Sequence, residues 1–153
     1  MNTKIAIILG SETDIPTMEA ANKYYEYFDL EYEMFIISAH RNPKEVHEFA
    51  SSARKNGFGI LVGAAGMAAH LAGALKSIST LPVIGVPLYG GIDSGMDSLL
   101  STVQMPKGVP VATMSIGQSG AINAAILSAE ILSLFDKKLQ DKLDKFKSQG
   151  SKL

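Results

Sequence analysis

The sequence predicts an α/β fold of three layers, in which a parallel sheet of five strands lies between helices. Strand-like and helix-like segments alternate along the whole chain, in units of about 30 residues. Three of the strand-like segments, at residues 5–9, 60–65 and 82–87, are almost continuously apolar. Continuous apolar runs are typical of parallel strands, because helices cover both of their faces.

The predicted elements follow one another from strand to helix along the chain. Strands are predicted at residues 4–9, 31–37, 59–64, 82–87 and 109–116, and helices at residues 15–28, 42–56, 67–78, 95–104 and 119–135. Asp14 and Pro16 mark the start of the first helix, as its cap and its first-turn proline. Asn42-Pro43 begins the second helix, and Asn56-Gly57 ends it. Because crossovers are right-handed, five such strands favour the flavodoxin-like order 2-1-3-4-5.

The end of the chain differs in character from the rest. We predict a catalytic α/β domain over residues 1–135 and an amphipathic helical tail over residues 136–153. Four apolar side chains fall near one face of a helix there: Phe135, Leu139, Leu143 and Phe146. The helix before the tail is apolar on nearly every side. We therefore expect a partner subunit to cover the apolar surface of this helix that the sheet does not cover. The alternative is an alanine-rich helix that needs no partner.

Composition excludes several classes of function. Apolar residues make up 46% and charged residues 19% of the chain, which is a globular balance. A formal net charge of −1 provides no overall field that attracts nucleic acid or a membrane surface. The chain has no cysteine, so disulfides, thiolate metal sites and cysteine nucleophiles are excluded. No apolar stretch approaches the ~18 residues of a membrane span, and we expect a cytoplasmic protein.

The loop after the first predicted strand has the residues of a phosphate or sugar site. In the order 2-1-3, the carboxyl ends of the first three strands enclose the crevice in which ligands bind. Gly10 allows close approach of the backbone, and Ser11 and Thr13 offer hydroxyl groups. Asp14 suits hydrogen bonds from sugar hydroxyls. An ordinary strand-to-helix turn, capped by Asp14, is the alternative.

The loop after the second predicted strand places a histidine beside an arginine, in the segment SAHRNP. His40 is the side chain best able to give and take a proton near neutral pH. Arg41 offers a planar fork for a phosphate or a carboxylate. A solvated loop without function is the alternative, although Pro43 restricts the loop.

The loop after the third predicted strand is almost devoid of side chains. Small residues at positions 63–66 let a flat ligand lie against the backbone, and free N–H groups of the next helix suit a carboxylate or carbon dioxide. His70 falls in the first turn of that predicted helix, where packing and catalysis are equally good explanations. His47 is expected at the surface, and the spacing of the three histidines gives no metal cluster. Gly90-Gly91 and residues 93–97 suggest a flexible flap, and a simple loop is the alternative.

At this point the motifs match a known family. GSETD, SAHRNP, GAAGMAAHLAG, LPVIGVP, DSLLSTVQMPKGVPVAT and SIGQSGAINAAILSAEIL, in this order, resemble the N5-carboxyaminoimidazole ribonucleotide mutases, over residues 4–134. The resemblance implies a flavodoxin-like homo-octamer without metal or other cofactor. It implies conversion of N5-carboxyaminoimidazole ribonucleotide to 4-carboxy-5-aminoimidazole ribonucleotide, a step of purine biosynthesis that passes through aminoimidazole ribonucleotide and CO2.

The resemblance also implies roles for individual residues. His40 would transfer the proton. The other residues implied in substrate binding are Gly10, Ser11, Asp14, Ser38, Ala39, Arg41, Gly63, Ala64, Ala65, Gly66, His70 and Leu71. Within this set Ser11, Asp14, Ser38 and Arg41 would hold the ribose phosphate. The sequence departs from the usual pattern at Thr13, Ile15, Asn42 and Met67, where serine, an aromatic residue, threonine and glycine are common.

Other functions remain open at this stage. A carboxylase of the same family would use free CO2 and aminoimidazole ribonucleotide. A flavodoxin-like module that binds FMN would need a longer hydroxyl-rich loop and an aromatic pair, and the chain has no tryptophan. A phosphoacceptor domain would need an aspartate where Ala64-Ala65 stand. A structural assembly protein would explain the apolar helix, but not the polar and small residues of the three loops that follow the first three predicted strands.

Overall fold

The predicted sheet is confirmed. A computed structural model describes residues 3–153, so the first two residues of the predicted domain lie outside the described part. The five strands are all parallel, in the order β2-β1-β3-β4-β5. Their bounds are β1 Lys4–Leu9, β2 Tyr32–Ile36, β3 Phe58–Ala65, β4 Val83–Pro87 and β5 Ala112–Thr113. The helices are α1 Ile15–Glu19, α2 Asn22–Tyr27, α3 Pro43–Ser52, α4 Leu71–Ile78, α5 Met96–Val103, α6 Gln118–Ser133 and α7 Lys137–Ser148.

Helices cover both faces of the sheet, which explains the continuously apolar strands. Ile5, Ile7 and Leu9 of β1 face a cluster formed with α1, α2, α6 and α7. Ala6 and Ile8, which alternate with them, face a second cluster formed with α3 and α4. All five of these side chains are fully buried. The sheet therefore lies in the middle of three layers, and both of its faces exclude water.

Several predicted bounds were wrong, and the backbone gives the reasons. The first predicted helix is interrupted between α1 and α2, where Ala21 N–H donates to the Met18 carbonyl in a tightened turn. The third predicted helix begins at Leu71 rather than at residue 67, because Met67 has a left-handed backbone with φ 52°. β5 keeps two residues of the predicted eight, beyond Pro110, which has no N–H to donate to a ladder.

The tail is the helix α7, and it packs on its own chain. Leu139, Leu143 and Phe146 are buried in the cluster that also contains α6. Phe135 does not share this face: it lies between α6 and α7 and is 71% exposed. Within one chain α1, α2 and α7 contact α6, while several isoleucines of α6 are only partly buried, and the partner subunit expected over this helix stays a prediction. The division into a domain and a tail stays a prediction.

Within residues 3–153, no helix combines the length and the apolar character that crossing a bilayer requires.

Candidate active site

A cleft of about 370 Å³ opens at the carboxyl edge of the sheet. The loops after β1, β2, β3 and β4 form its walls, so the first three predicted loops do converge, together with a fourth. The residues that line the cleft are Gly10, Ser11, Thr13, Asp14, Ser38, Ala39, His40, Arg41, Ala65, Gly66, Met67, Ala68, His70, Leu71, Tyr89, Gly90 and Gly91. This edge is where ligands bind in open parallel sheets.

Two histidines from different loops meet in the cleft. Nε2 of His40 lies 2.7 Å from Nδ1 of His70, and the two rings are nearly perpendicular at 86°. One of these nitrogens must donate and the other must accept, so the contact couples the tautomers of the two rings. His70 precedes the first residue of α4, rather than lying in its first turn. The contact places an imidazole with exchangeable protons beside the small residues that follow β3.

The loop after β1 is arranged by Ser11. Its Oγ atom accepts hydrogen bonds from the N–H of Thr13, at 3.3 Å, and from the hydroxyl of Thr13, at 2.9 Å. Ser11 thereby caps the short 3₁₀ turn Glu12–Asp14. The predicted capping by Asp14 was wrong, because its side chain caps no helix. Its carboxyl is therefore available to a ligand in the cleft.

Asp14 is held in a partly dry environment. Burial raises the pKa of its carboxyl, and a hydrogen bond from the backbone of Ser11 partly opposes this rise. A β-carbon placed at Gly10 would lie 3.9 Å from Oδ2 of Asp14. The carboxyl thus lies beside the backbone of the loop, where it can accept hydrogen bonds from a bound hydroxyl group.

The loop after β2 forms a tight turn around Ser38. The Ser38 hydroxyl accepts from the N–H of Arg41 at 3.3 Å, and the Ser38 carbonyl accepts from the N–H of Asn42 at 2.8 Å. This turn directs His40 and Arg41 outward at the end of the strand, and both are exposed. Among residues 3–153, no carboxylate forms an ion pair with the Arg41 guanidinium. That cation is available to an anionic ligand.

Two predicted residues of the third loop lie behind the cleft instead of in it. Ala64 is fully buried within β3. Gly63 is buried against α4, and a β-carbon there would come within 2.9 Å of the Ala72 Cα atom. Glycine is required at this position because helix and strand approach too closely for a side chain. Ala65, Gly66, His70 and Leu71 do line the cleft, as expected.

Sequence reasoning missed Tyr89 entirely and gave no binding role to Met67 or Ala68. Tyr89 lies just beyond β4, and its side chain is 63% exposed at the cleft. An aromatic residue followed by two glycines at the end of a predicted strand was the available signal. Within the described residues, no three histidine, aspartate or glutamate side chains are placed to hold a metal ion.

Fold and site together define an α/β protein of flavodoxin-like topology, with imidazole, guanidinium and hydroxyl groups around a cleft at the carboxyl edge of the sheet. The chain belongs to the AIR carboxylase family, whose model matches residues 4–152.

Relatives of known name and structure agree with this assignment. The chain is similar to the N5-carboxyaminoimidazole ribonucleotide mutase of Pyrococcus abyssi, with 48% identity over 94% of this chain and 82% of the relative. It is 49% identical to the mutase of Bacillus subtilis, over 94% of this chain and 89% of the relative. The crystal structure of Treponema denticola PurE superposes with a TM-score of 0.86 and 25% identity, covering 97% of this chain and 91% of that chain.

Proposed function

We propose that this protein is an N5-carboxyaminoimidazole ribonucleotide mutase, which moves a carboxyl group from the exocyclic nitrogen to ring carbon C4. The observation that carries the proposal is the position of His40, whose ring touches His70 at the edge of a pocket lined by Ala65 and Gly66. A proton carrier beside a pocket for a flat ring is what this isomerisation requires. Relatives of that name at 48% and 49% identity support the substrate.

The loops after β1 and β2 bind the ribose phosphate in this proposal. The Arg41 guanidinium, which forms no ion pair within residues 3–153, suits the phosphate. The hydroxyls of Ser11 and Ser38 add hydrogen bonds. The Asp14 carboxyl accepts from the ribose hydroxyls. Gly10 and Ala39 leave room for the sugar, since neither has a side chain beyond a methyl group.

The small residues after β3 hold the imidazole and the migrating carboxyl group. Ala65 and Gly66 let the flat ring lie against the backbone, and Leu71 closes the pocket from α4. His70 contacts His40 and faces the same space. A ligand that spans both halves of the cleft brings its exocyclic nitrogen and C4 within reach of one imidazole.

The reaction then proceeds in two balanced halves. The bond between N5 and the carboxyl carbon breaks, CO2 forms, and the electron pair left on nitrogen takes a proton from protonated His40. C4 then attacks the trapped CO2, and neutral His40 removes the C4 proton so that the ring becomes aromatic again. Holding CO2 against C4 replaces a bimolecular encounter, an effect worth up to about 7–11 kcal/mol in ideal cases. The reaction needs no cofactor, because the carboxyl group is returned to the substrate at C4 and the proton is returned to His40.

A carboxylase is the second candidate, since the family carries that description. It would join free CO2 to aminoimidazole ribonucleotide at the same C4 atom. The two reactions differ only in whether the carboxyl group arrives on the substrate.

The deciding experiment supplies each substrate separately to the purified protein, without metal or nucleotide. We expect N5-carboxyaminoimidazole ribonucleotide to be converted in buffer purged of bicarbonate. Conversion of aminoimidazole ribonucleotide in proportion to added bicarbonate, with no conversion of N5-carboxyaminoimidazole ribonucleotide, identifies the carboxylase instead. Absence of both reactions refutes the proposal.

We also propose that the protein acts in the cytoplasm as a homo-octamer. Three apolar side chains on one face of α5, Met96, Leu100 and Val103, are 44%, 51% and 48% exposed. Their spacing forms a stripe that a second copy can cover. Light scattering after size exclusion tests this: a mass of eight chains supports the octamer, and a 16.3 kDa monomer contradicts it.

A further inference from the structure

Tyr89 occupies a position in the cleft that the proposed reaction does not yet use. It is the one phenol ring among the residues that line the cleft in the described part of the chain. Its ring lies against Gly117, the residue before α6: a β-carbon built at Gly117 would meet Cε2 of Tyr89 at 2.0 Å. Gly117 also has φ 74°, a conformation that favours glycine. The loop before α6 therefore leaves space that the Tyr89 ring fills.

The backbone on the strand side of Tyr89 is fixed. The N–H of Leu88 donates to the Ala65 carbonyl at 2.9 Å, and the N–H of Gly117 donates to the Pro87 carbonyl at 2.8 Å. The Tyr89 carbonyl lies so near Gly66 that a β-carbon there would be 3.1 Å away. These contacts fix the backbone that carries the ring, and Tyr89 lines the same cleft as Ala65 and Gly66.

The backbone on the other side is open at Gly90 but not at Gly91. Both glycines have positive φ angles, 112° and 69°. A β-carbon at Gly90 would meet no atom of the described residues within 4 Å, whereas one at Gly91 would lie 2.0 Å from Oδ2 of Asp97. The main chain can therefore adjust at Gly90 without displacing a packed neighbour, which lets the ring settle against a ligand at little steric cost.

The order of the strands shows which end of a ligand would meet this ring. Arg41 follows β2 and Tyr89 follows β4, and β1 and β3 lie between them. Three strand spacings separate the two loops by about 14 Å, a span suited to a mononucleotide lying across the cleft. With the phosphate at Arg41, the base and its carboxyl group reach the small residues beside Tyr89.

We propose that Tyr89 contacts the substrate and closes the base end of the cleft, where its ring retains CO2 between the two halves of the reaction. This inference rests on the proposed mutase function and adds a residue to it. The ring shields the pocket beside Ala65 and Gly66 from solvent, and exclusion of water limits the loss of a small intermediate. Loss of the ring therefore changes how often CO2 escapes before C4 attacks it.

The test measures partition: the fraction of consumed N5-carboxyaminoimidazole ribonucleotide that appears as free aminoimidazole ribonucleotide. We expect Tyr89→Ala to raise the ratio of released to isomerised product about fivefold, the size expected when one aromatic contact is lost. Tyr89→Phe, which keeps the ring, should restore most of the wild-type ratio. Phe135→Ala, an exposed aromatic residue far from the cleft, is the control and should leave the ratio unchanged. An unaltered ratio in Tyr89→Ala, while the wild type isomerises, overturns the proposal.

A second measurement does not depend on turnover. The chain has no tryptophan, so Tyr89→Trp introduces a single tryptophan at the cleft, which can be excited selectively over the tyrosines that remain. Titration with aminoimidazole ribonucleotide should change its emission in a saturable way, and Gly117→Ala in the same background should alter the emission before ligand is added. If the wild type does not isomerise the substrate, the mutase function is refuted, but the titration still tests whether residue 89 contacts the ligand. Emission that does not change on titration refutes that contact.

Discussion

The Nε2 atom of His40 lies 2.7 Å from Nδ1 of His70, so side chains from two different loops share one hydrogen bond. His40 lies within the turn after β2, and His70 stands immediately before α4. The contact needs one protonated and one unprotonated nitrogen at the interface. His70 can thus fix both the orientation and the tautomer of the ring that moves the proton.

A positioning role for His70 predicts a loss of rate with little loss of affinity. His70→Asn should lower kcat by about 10- to 100-fold, because a catalytic group displaced by about an ångström loses this much. KM should change much less. The pH profile of kcat should also change shape, since the partner that selects the tautomer of His40 is gone.

The control is the third histidine. His47 is exposed on α3, away from the cleft, so His47→Asn should reproduce both the rate and the pH profile of the wild type. Equal values of kcat for His70→Asn and the wild type would show that the contact between the rings has no role in turnover.

Replacement of the proton carrier itself should have a larger effect. His40→Asn keeps a polar side chain of similar reach but removes acid–base chemistry, so kcat should fall by about 10²- to 10⁴-fold. Binding of aminoimidazole ribonucleotide, followed by calorimetry, should remain within a few-fold of the wild type. Appreciable isomerisation by His40→Asn would refute the shuttle.

The fold and the convergence of the loops could be predicted from the sequence, because both follow from periodicity. Continuously apolar strands indicate a sheet covered on both faces, and the strand order brings the ends of β1, β2 and β3 to one edge. His40 and Arg41 could be selected because charged and titratable residues at that edge have no packing role.

Other features depend on contacts that periodicity does not encode. The left-handed backbone of Met67 delays α4 to Leu71, which moves His70 from a helical turn to a loop. Gly63 belongs to the same motif as Gly66, yet it faces Ala72 of a helix rather than the cleft. The place of Tyr89 depends on Gly117, which is 28 residues further along the chain. Contacts between residues distant in the sequence therefore determine which small residues face the cleft and which allow a helix to pack closely against a strand.

Arg41 should govern affinity rather than rate. Its guanidinium has no ion pair in the described chain, so Arg41→Ala should leave the free protein stable. KM should rise about 10- to 100-fold, as expected for the loss of a charged hydrogen bond, with a small change in kcat. Arg41→Lys should recover part of the affinity, because lysine keeps the charge but not the planar fork. Steady-state kinetics at two salt concentrations test this, with Arg54→Ala, the other arginine of the chain, as the control.

Asp14 should reduce the stability of the free protein at neutral pH. Its pKa in the folded state is raised above the ordinary 3.8, because burial penalises the charged form. The folded protein therefore binds this proton more tightly than the unfolded chain, so the charged carboxylate costs stability above the raised pKa. The cost disappears as the pH falls below 3.8.

Asp14→Asn removes this cost, so its free energy of unfolding at pH 7 should exceed that of the wild type. The excess should shrink as the pH approaches 4. Affinity for the ribonucleotide should fall about tenfold or more, because one charged hydrogen bond is lost. Urea unfolding across pH and a binding titration measure the two effects, with Asp144→Asn on the surface of α7 as the control. A variant less stable than the wild type at pH 7 would contradict the argument.

Two glycines at the carboxyl edge of neighbouring strands should respond differently to one added methyl group. At Gly63 the new β-carbon would lie 2.9 Å from Cα and 3.1 Å from N of Ala72, and helix backbone cannot move aside as a side chain can. Gly63→Ala should therefore destabilise the protein by about 1–3 kcal/mol, the usual range for overpacking. At Gly10 the nearest atoms are 3.8 Å away, at Cβ of Ala65, and 3.9 Å away, at Oδ2 of Asp14. Gly10→Ala should keep the stability of the wild type but weaken ligand binding, because the methyl group enters the cleft. Equal losses of stability in both variants would show that the contact with α4 is not the reason for glycine at position 63.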